Sequence, residues 1–133
     1  MNNKEKYSQL LQIAKDFSNN SYSPYSEFKV GAAVLCEEGK VFGGTNVENV
    51  SYGLSMCAER VAIFSAIANG AKQIKAVAIY TPKGDTTPCG ACRQVIAEFS
   101  NNADIIYNTK NNKIKIEKNS SLLPKSFNKK SIK

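Results

Sequence analysis

The sequence predicts an α/β domain, because segments with helical spacing of apolar residues alternate with short β-branched runs. A β-branched run at Ile74–Tyr80, a helical pattern beginning near Cys89 and a second short run at Ile105–Tyr107 follow one another. Strand, crossover helix and strand in this order favour a parallel pair of strands joined by a right-handed connection. The length of 133 residues suits one compact domain.

The amino-terminal part contains one predicted helix and one predicted hairpin. Apolar residues recur at helical spacing in residues 3–18, after asparagines that can cap a helix. The stretch Asn19–Ser26 is rich in Asn, Ser and Pro, which indicates a loop. Phe28–Cys36 and Lys40–Val47 are apolar segments joined by a glycine-containing turn, which is typical of a hairpin. The first is nearly continuous in apolar character, as in a strand buried on both faces.

The remaining elements include two helices that begin at cysteines. A polar loop, Asn46–Met56, precedes a predicted helix at Cys57–Asn69. A second helix is predicted from Cys89 to about Ser100. Lys113–Lys118 alternates strictly between polar and apolar residues, which predicts an edge strand with one solvent-exposed face. The last fifteen residues have little periodicity.

The net charge of +7 is confined to the end of the chain. Residues 110–133 carry eight lysines against one acid, whereas residues 1–109 hold ten basic and ten acidic side chains. This end lacks the series of interleaved aromatic residues that a nucleic-acid stacking platform requires. We interpret it as a solvated, lysine-rich segment and do not expect nucleic acid as a partner.

The amino terminus and the cysteines indicate the cellular compartment in which the protein is expected. Residues 1–15 are interrupted by charge, unlike a signal peptide, and the sequence contains no run of about 20 apolar residues that would span a bilayer. We therefore expect a cytoplasmic protein without membrane association. In that reducing compartment the four cysteines are expected to be thiols or metal ligands rather than disulfides.

Histidine is absent from the sequence. This excludes Ser-His-Asp and Cys-His catalysis, and it limits zinc ligands to Cys, Asp, Glu or water. The stretches Cys57-Ala58-Glu59-Arg60 and Pro88–Gln94 each place cysteine at a predicted helix start, where the helix dipole favours the thiolate. Cys57, Cys89 and Cys92 are therefore candidate ligands of a zinc ion whose fourth position is open to water. Cys36 is an alternative fourth ligand, but its place in an apolar strand favours a core residue.

Two charged residues, Glu59 and Arg60, lie in the first turn of the helix predicted after Cys57. Glu59 is a candidate general base, because it lies two residues from a ligand, although acids are also favoured in the first turn of any helix. Zinc with three thiolates carries a charge of −1, which Arg60 is placed to offset. Arg93 is a second candidate for that role, or a surface residue.

Four segments resemble the cytidine deaminase family, in its small homotetrameric form with three cysteine ligands. They are SPYSEFKVGAAV, TNVENVSYGLSMCAER, PCGACRQVIAEF and LLPKSF, spread over about four-fifths of the chain. The resemblance implies a three-layer α/β/α sandwich with a mixed five-stranded sheet. It places the family domain at residues 1–127 and leaves a short basic tail at residues 128–133.

The resemblance also implies the reaction: hydrolytic deamination of cytidine and 2′-deoxycytidine to uridine and 2′-deoxyuridine in pyrimidine salvage. One zinc per subunit, held by Cys57, Cys89 and Cys92, activates a water. Glu59 takes the proton of that water and returns protons to N3 of the base and to the departing amine.

Substrate contacts follow from the same resemblance. Asn46 and Glu48 would hydrogen-bond the ribose 3′-hydroxyl, Phe28 would stack near the base, and the backbone of Ala58 would contact the base carbonyl. Two further family positions lie at contacts between the four subunits and complete a neighbour's pocket; they correspond to Tyr52 and Phe127.

Two alternatives are considered, the second of which belongs to another functional class. The first is another deaminase, acting on a base in RNA or on an aminoglycosyl nucleoside. The paired Asn46 and Glu48 favour a free nucleoside, because a carboxylate beside the 3′-oxygen would repel the phosphate of a polymer. A four-cysteine zinc module with a nucleic-acid-binding tail would leave Glu59 and the Asn46/Glu48 pair without a role.

Overall fold

The computed structural model describes residues 2–133. Its helices and strands are α1 (Asn3–Ser18), β1 (Gly31–Cys36), β2 (Val41–Thr45), α2 (Ala58–Ala68), β3 (Ile74–Tyr80), α3 (Gly90–Glu98), β4 (Asp104–Asn108), β5 (Ile114–Lys118) and α4 (Asn119–Leu122). Short 3₁₀ helices occupy Tyr52–Leu54 and Lys129–Ile132. None of the helices in the described range is long and apolar enough to cross a membrane.

The five strands form one mixed sheet in the order β2-β1-β3-β4-β5. β1 and β2 form the predicted antiparallel hairpin, and β1 also pairs antiparallel with β3. β3 and β4 are parallel, as the strand-helix-strand pattern predicted, and β5 returns antiparallel at the edge. The interior position of β1, between β2 and β3, explains its continuous apolar sequence, since both of its faces are buried.

Helices cover both faces of the sheet, which confirms the three-layer arrangement. The α1 face is an apolar cluster formed by Tyr7, Leu10, Leu11, Ala14, Ala33, Ala76, Ala78 and Ile106. The opposite face packs against α2 and α3 and includes Val34, Ala62, Ile63, Val77, Ile79, Ile96 and Ile105. Neighbouring residues of one strand, such as Val77 and Ala78, thus point to opposite layers.

Gly44 in β2 allows α2 to lie directly on the sheet. A Cβ at this position would lie 2.5 Å from the backbone nitrogen of Ala62 and 2.8 Å from the carbonyl oxygen of Ala58. Only glycine permits this close approach. The contact fixes the amino-terminal end of α2 beside the end of β2, where the polar loop begins at Asn46.

The carboxy-terminal region differs from the prediction in two respects. β5 is the expected edge strand, but Ile114 and Ile116 on its apolar side are 40% and 46% exposed. The helices pack mainly over β1 to β4, so no helix fully covers the apolar face of β5. The final residues also form α4 and a 3₁₀ helix, which are too short to show apolar periodicity.

Candidate active site

Two helix starts bring three cysteines together. Cys57 and Cys89 directly precede α2 and α3, and Cys92 lies in the first turn of α3. The three sulfur atoms all lie within 4.8 Å of one another, and the Sγ atoms of Cys57 and Cys89 are 3.8 Å apart. Neither Cys57 nor Cys89 uses its side chain to cap its helix, which leaves the sulfurs free to face one another.

This sulfur cluster fits a zinc ion. Zinc–sulfur bonds of about 2.3 Å in a tetrahedral site place the sulfurs about 3.8 Å apart, and the Cys57–Cys89 separation matches this value. Thiolates are soft donors that suit zinc, and three of them leave one position for water. All four cysteines are free of disulfide bonds.

Cys36 lies outside the sulfur cluster. It is 1% exposed in β1 and packs in the core layer under α2. Burial raises the pKa of its thiol, which keeps it protonated. The prediction that Cys36 is a core residue is confirmed, and a four-thiolate centre has no support in the described residues.

Arg60 reaches back to the cysteine at the start of its own helix. Its Nη2 donates a hydrogen bond to Cys57 Sγ at 3.3 Å. Hydrogen bonds from Cys92 and then from Arg60 lower the pKa of Cys57 to about 5, so its thiolate is favoured. The pKa of Cys92 is raised by its hydrogen bond to Cys57 and by burial. Arg60 therefore stabilises the thiolate of Cys57.

Glu59 is a buried carboxylate in the first turn of α2. Its side chain is 4% exposed. Burial raises the pKa of Glu59 to about 7, and the negative charge of Cys57 adds to this effect. A carboxyl group with a pKa near neutrality can both accept and return a proton, which is the property that acid/base catalysis requires.

A cavity of about 240 Å³ opens beside the cysteines. Seven predicted site residues line it, namely Phe28, Asn46, Glu48, Cys57, Ala58, Glu59 and Cys89. The third thiol, Cys92, is fully buried behind this wall. Tyr52 lines a neighbouring cavity with Glu48, and Phe127 lies at a different surface, so neither borders the main cavity within one chain.

The side chain of Asn46 holds the segment before β1, which carries Phe28. Its Oδ1 accepts hydrogen bonds from Val30 N at 3.0 Å and from Ser21 Oγ at 2.6 Å, and its Nδ2 donates to the Phe28 carbonyl at 2.7 Å. One N–H of the amide is left for a ligand. Asn46 therefore shapes the cavity wall in addition to facing the cavity.

Glu48 is also held by its neighbours. Oε1 accepts hydrogen bonds from the backbone N–H groups of Tyr25 and Ser26 at 2.9 and 3.1 Å, and Oε2 accepts one from the Ser26 hydroxyl. The hydrogen bond from the Ser26 hydroxyl, followed by those from the two backbone groups, holds the pKa of Glu48 below its usual range. The carboxylate is therefore ionised at neutral pH and keeps free lone pairs toward the cavity.

Five further residues line the cavity without having been singled out from the sequence: Val30, Ser55, Met56, Thr86 and Thr87. Thr86 and Thr87 directly precede Pro88 in a segment with many turn-forming residues. The feature of the sequence that could have identified them as site residues is their position directly before the Pro88–Gln94 stretch.

The three-layer α/β fold and the thiol cluster beside a buried carboxylate place the protein among zinc-binding α/β enzymes. Residues 4–109 match the family model described as the cytidine and deoxycytidylate deaminase zinc-binding region. A cytidine deaminase of Sporosarcina psychrophila is 44% identical over 126 residues, which cover 92% of both chains. The chain therefore belongs to the cytidine and deoxycytidylate deaminase family.

Solved structures agree in fold. The crystal structure of cytidine deaminase from Burkholderia pseudomallei superposes with a TM-score of 0.86 and 40% identity, covering 96% of this chain and 100% of that chain. That of cytidine deaminase from Mycobacterium tuberculosis gives a TM-score of 0.79 at 34% identity, covering 91% and 96%. The mixed five-stranded sheet predicted from the family resemblance is thus shared with these enzymes.

Proposed function

We propose that this protein is a zinc-dependent cytidine deaminase, which hydrolyses cytidine and 2′-deoxycytidine to uridine and 2′-deoxyuridine with release of ammonia, in pyrimidine salvage. One observation carries the proposal. The buried carboxylate of Glu59 and the thiols of Cys57 and Cys89 share the wall of one cavity, in a chain of the cytidine deaminase family. The substrate is a small nucleoside, and the enzyme is a hydrolase of the C–N bond of a cyclic amidine.

Three thiols would hold the metal, one zinc per subunit. Cys57, Cys89 and Cys92 supply the ligands, and Arg60 offsets part of the negative charge that three thiolates bring. Zinc, when bound, supplies Lewis-acid activation of a water molecule.

Glu59 moves the protons. Its carboxylate accepts a proton from the attacking water and delivers it to N3 of the cytosine ring while C4 gains an oxygen. It then transfers the second proton of that water to the exocyclic amine, and the C4–N bond breaks. The pKa of about 7 suits both directions of transfer. The products, uridine and ammonia, account for both protons and the oxygen of the water.

The cavity wall supplies the contacts to the nucleoside. The remaining N–H of Asn46 and the free lone pairs of Glu48 would hydrogen-bond the ribose 3′-hydroxyl. Phe28 would stack near the base, and the backbone of Ala58 would contact the base carbonyl.

A free nucleoside fits this wall better than a polymer. Glu48 is ionised, because hydrogen bonds hold its pKa low. Its negative charge beside the 3′-oxygen would repel a phosphate at that position. Residues 1–109 carry ten acidic and ten basic side chains and therefore no net positive charge that would attract a nucleic acid.

A homotetramer with shared active sites is part of the proposal. Tyr52 and Phe127 are 74% and 64% exposed in the single chain. Large apolar side chains this exposed suit a subunit contact, where each would complete a neighbour's cavity. Residues 1–127 would form the domain, with residues 128–133 as a basic tail. A cytoplasmic location suits a site that depends on reduced thiols.

The direct test is to add purified protein to cytidine and follow the loss of cytosine absorbance. Deoxycytidylate and a cytosine-containing RNA serve as competitors. We expect turnover of cytidine and 2′-deoxycytidine, with weak competition by the RNA, because its phosphates on the 3′-oxygens would meet the Glu48 carboxylate. Deoxycytidylate, whose phosphate is on the 5′-oxygen, shows whether a phosphate is tolerated there. Absence of nucleoside deamination by zinc-loaded protein would contradict the proposal.

A further inference from the structure

The side chain of Arg93 connects three separate parts of the chain. Its Nε donates a hydrogen bond to the carbonyl of Pro88 at 2.7 Å, and its Nη2 donates to Thr87 Oγ1 at 3.0 Å. Its Nη1 donates to the carbonyl of Leu122 at 2.7 Å. Arg93 itself follows Cys92 directly in the first turn of α3. One planar guanidinium thus joins α3, the segment before Cys89 and the segment after β5.

All three acceptors are uncharged. The described residues contain two ion pairs, Lys118–Asp104 and Lys129–Glu98, and Arg93 is in neither. Its hydrogen bonds also go to oxygen atoms rather than to a cysteine sulfur. This differs from Arg60, whose guanidinium reaches Cys57. The contacts of Arg93 therefore favour a geometric role over the charge-compensating role considered from the sequence.

Arg93 restrains the backbone segment that leads to Cys89, a candidate zinc ligand. Thr87 and Pro88 are the two residues before Cys89, and Thr87 and Cys89 both line the main cavity. Cys89 itself is exposed, so the packing of its own side chain does not fix its position. The two hydrogen bonds from Arg93 join this segment to the helix turn that carries Cys92. They thus tie two of the three thiols to each other through one side chain.

The carboxy-terminal segment, residues 119–127, supports the same turn from outside. Asn119 Nδ2 donates to the carbonyl of Arg93 at 3.2 Å, and Asn119 is 3% exposed. Gln94 Nε2 donates to the carbonyl of Phe127 at 2.7 Å. Arg93 and Gln94 therefore hold both ends of this segment against the start of α3.

We infer that Arg93 is a positioning residue of the zinc site: it holds Cys89 in register with Cys92 and docks the carboxy-terminal segment onto the same helix turn. This inference rests on the proposed binding of zinc by Cys57, Cys89 and Cys92. Outer groups that orient metal ligands typically change metal affinity or activity 10–100-fold when they are removed. The carboxy-terminal segment that Arg93 docks at Leu122 also carries Phe127, whose carbonyl Gln94 binds and which we propose to lie at a subunit contact.

The test measures zinc release rather than catalysis. Zinc-loaded wild type, Arg93→Lys and Arg93→Gln are mixed with excess chelator, and the appearance of the coloured zinc–chelator complex is timed. Lysine keeps the charge but lacks the planar fork, so we expect both variants to release zinc about tenfold faster or more. Thr87→Val removes only one of the acceptors and is expected to give a smaller acceleration in the same direction.

Two controls separate positioning from general destabilisation. Tyr7→Phe removes a partly buried hydrogen bond to Asp104 on the α1 face and should lower Tm without faster zinc release. Lys129→Gln removes an exposed cation near the same helix and should match wild type. Deamination of cytidine is measured in parallel, and we expect kcat of the Arg93 variants to fall more than KM changes.

Zinc release within twofold of wild type in both Arg93 variants would overturn the inference, as would equal acceleration in Tyr7→Phe. If the Arg93 variants do not fold, Thr87→Val takes their place, and zinc release within twofold of wild type in Thr87→Val would overturn the inference. Failure of the proposed function is distinguishable, because it would appear as wild-type protein that does not deaminate cytidine.

Discussion

Arg60 Nη2 donates a hydrogen bond to Cys57 Sγ at 3.3 Å, across the first turn of α2. Three thiolates around a divalent zinc leave a charge of −1, which makes a bound water less acidic. A guanidinium on one of the sulfurs withdraws part of that charge. The Nε of Arg60 is buried and makes no hydrogen bond within the described residues, so the contact with Cys57 is the main polar contact of the group.

Arg60→Gln removes this positive charge and keeps a side chain of moderate length. We expect zinc content to stay near one per chain, because the three thiols still converge, while kcat/KM for cytidine falls about 10–100-fold. Metal analysis and steady-state kinetics on the same preparation measure the two effects. Full activity in Arg60→Gln would show that its charge does not assist the site.

Glu59→Gln replaces the proposed proton carrier with an amide of the same shape. The amide cannot accept the proton of water, so we expect a loss of about 10²–10⁴ or more in kcat, with fold and zinc content unchanged. Glu98→Gln is the matched control, since Glu98 is an exposed carboxylate on α3. Near-normal turnover by Glu59→Gln would remove this residue from the mechanism.

The main elements of the fold could be predicted because their signals are local. The apolar run of β1 reflects burial on both faces, and helix starts at Cys57 and Cys89 follow from the apolar spacing after them. Each helix start places a thiol at a positive dipole end, so the metal chemistry could also be predicted from residue types. The three clustered thiols proposed as zinc ligands therefore lie in two short stretches of the sequence.

The supporting contacts of the site could not be predicted, because their partners are distant backbone atoms. Arg93 donates to the carbonyl of Leu122, which lies 29 residues away, and any residue supplies such a carbonyl. Asn46 likewise binds the backbone at Phe28 and Val30. Neither contact leaves a pattern of residue types in the sequence.

Cys36→Ala and Cys92→Ala form a matched pair that tests the number of zinc ligands. Cys36 is buried in β1 outside the sulfur cluster, so we expect Cys36→Ala to keep one zinc per chain with some loss of stability. Cys92→Ala removes one of the three clustered thiols and should lose zinc on dialysis. Loss of zinc from folded Cys36→Ala would instead support a four-thiolate centre.

Asp104 makes stability depend on pH. Burial opposes its charge, but hydrogen bonds from Lys118 at 2.7 Å and from Tyr7 at 2.5 Å outweigh this effect and hold its pKa below the usual range. A group with a lowered folded-state pKa stabilises the protein above its unfolded-state pKa of about 3.9, and this contribution is lost as the pH falls through the folded-state value.

We therefore expect Asp104→Asn to lower the free energy of unfolding at neutral pH. The difference from wild type should shrink as the pH falls below about 4. Urea unfolding between pH 7 and pH 3 measures it. Asp16→Asn, at an exposed position on α1, should follow wild type throughout. A difference between Asp104→Asn and wild type that does not change with pH would contradict this assignment.

Phe127 provides a test of shared active sites. The proposed role of Phe127 in a neighbour's pocket predicts that Phe127→Ala lowers kcat/KM about tenfold, through loss of an aromatic contact to the substrate. Truncation after Phe127 is the control and should leave turnover largely intact. It removes the exposed Lys129–Glu98 pair, at 3.7 Å, and the hydrogen bond from Asn128 Nδ2 to the Ser126 carbonyl, at 3.1 Å.

Mixed oligomers of Glu59→Gln and Phe127→Ala subunits distinguish a neighbour's contribution from one within the same chain. If Phe127 completes the adjacent site, the site of a Phe127→Ala subunit beside a Glu59→Gln subunit is intact. Its own chain supplies Glu59, and the neighbouring chain supplies Phe127. Random mixing in equal amounts would then restore roughly one quarter of the wild-type sites. Co-expression with two affinity tags isolates the mixed species for kinetics. Activity no higher than the average of the two parents would mean that Phe127 does not act across the subunit contact.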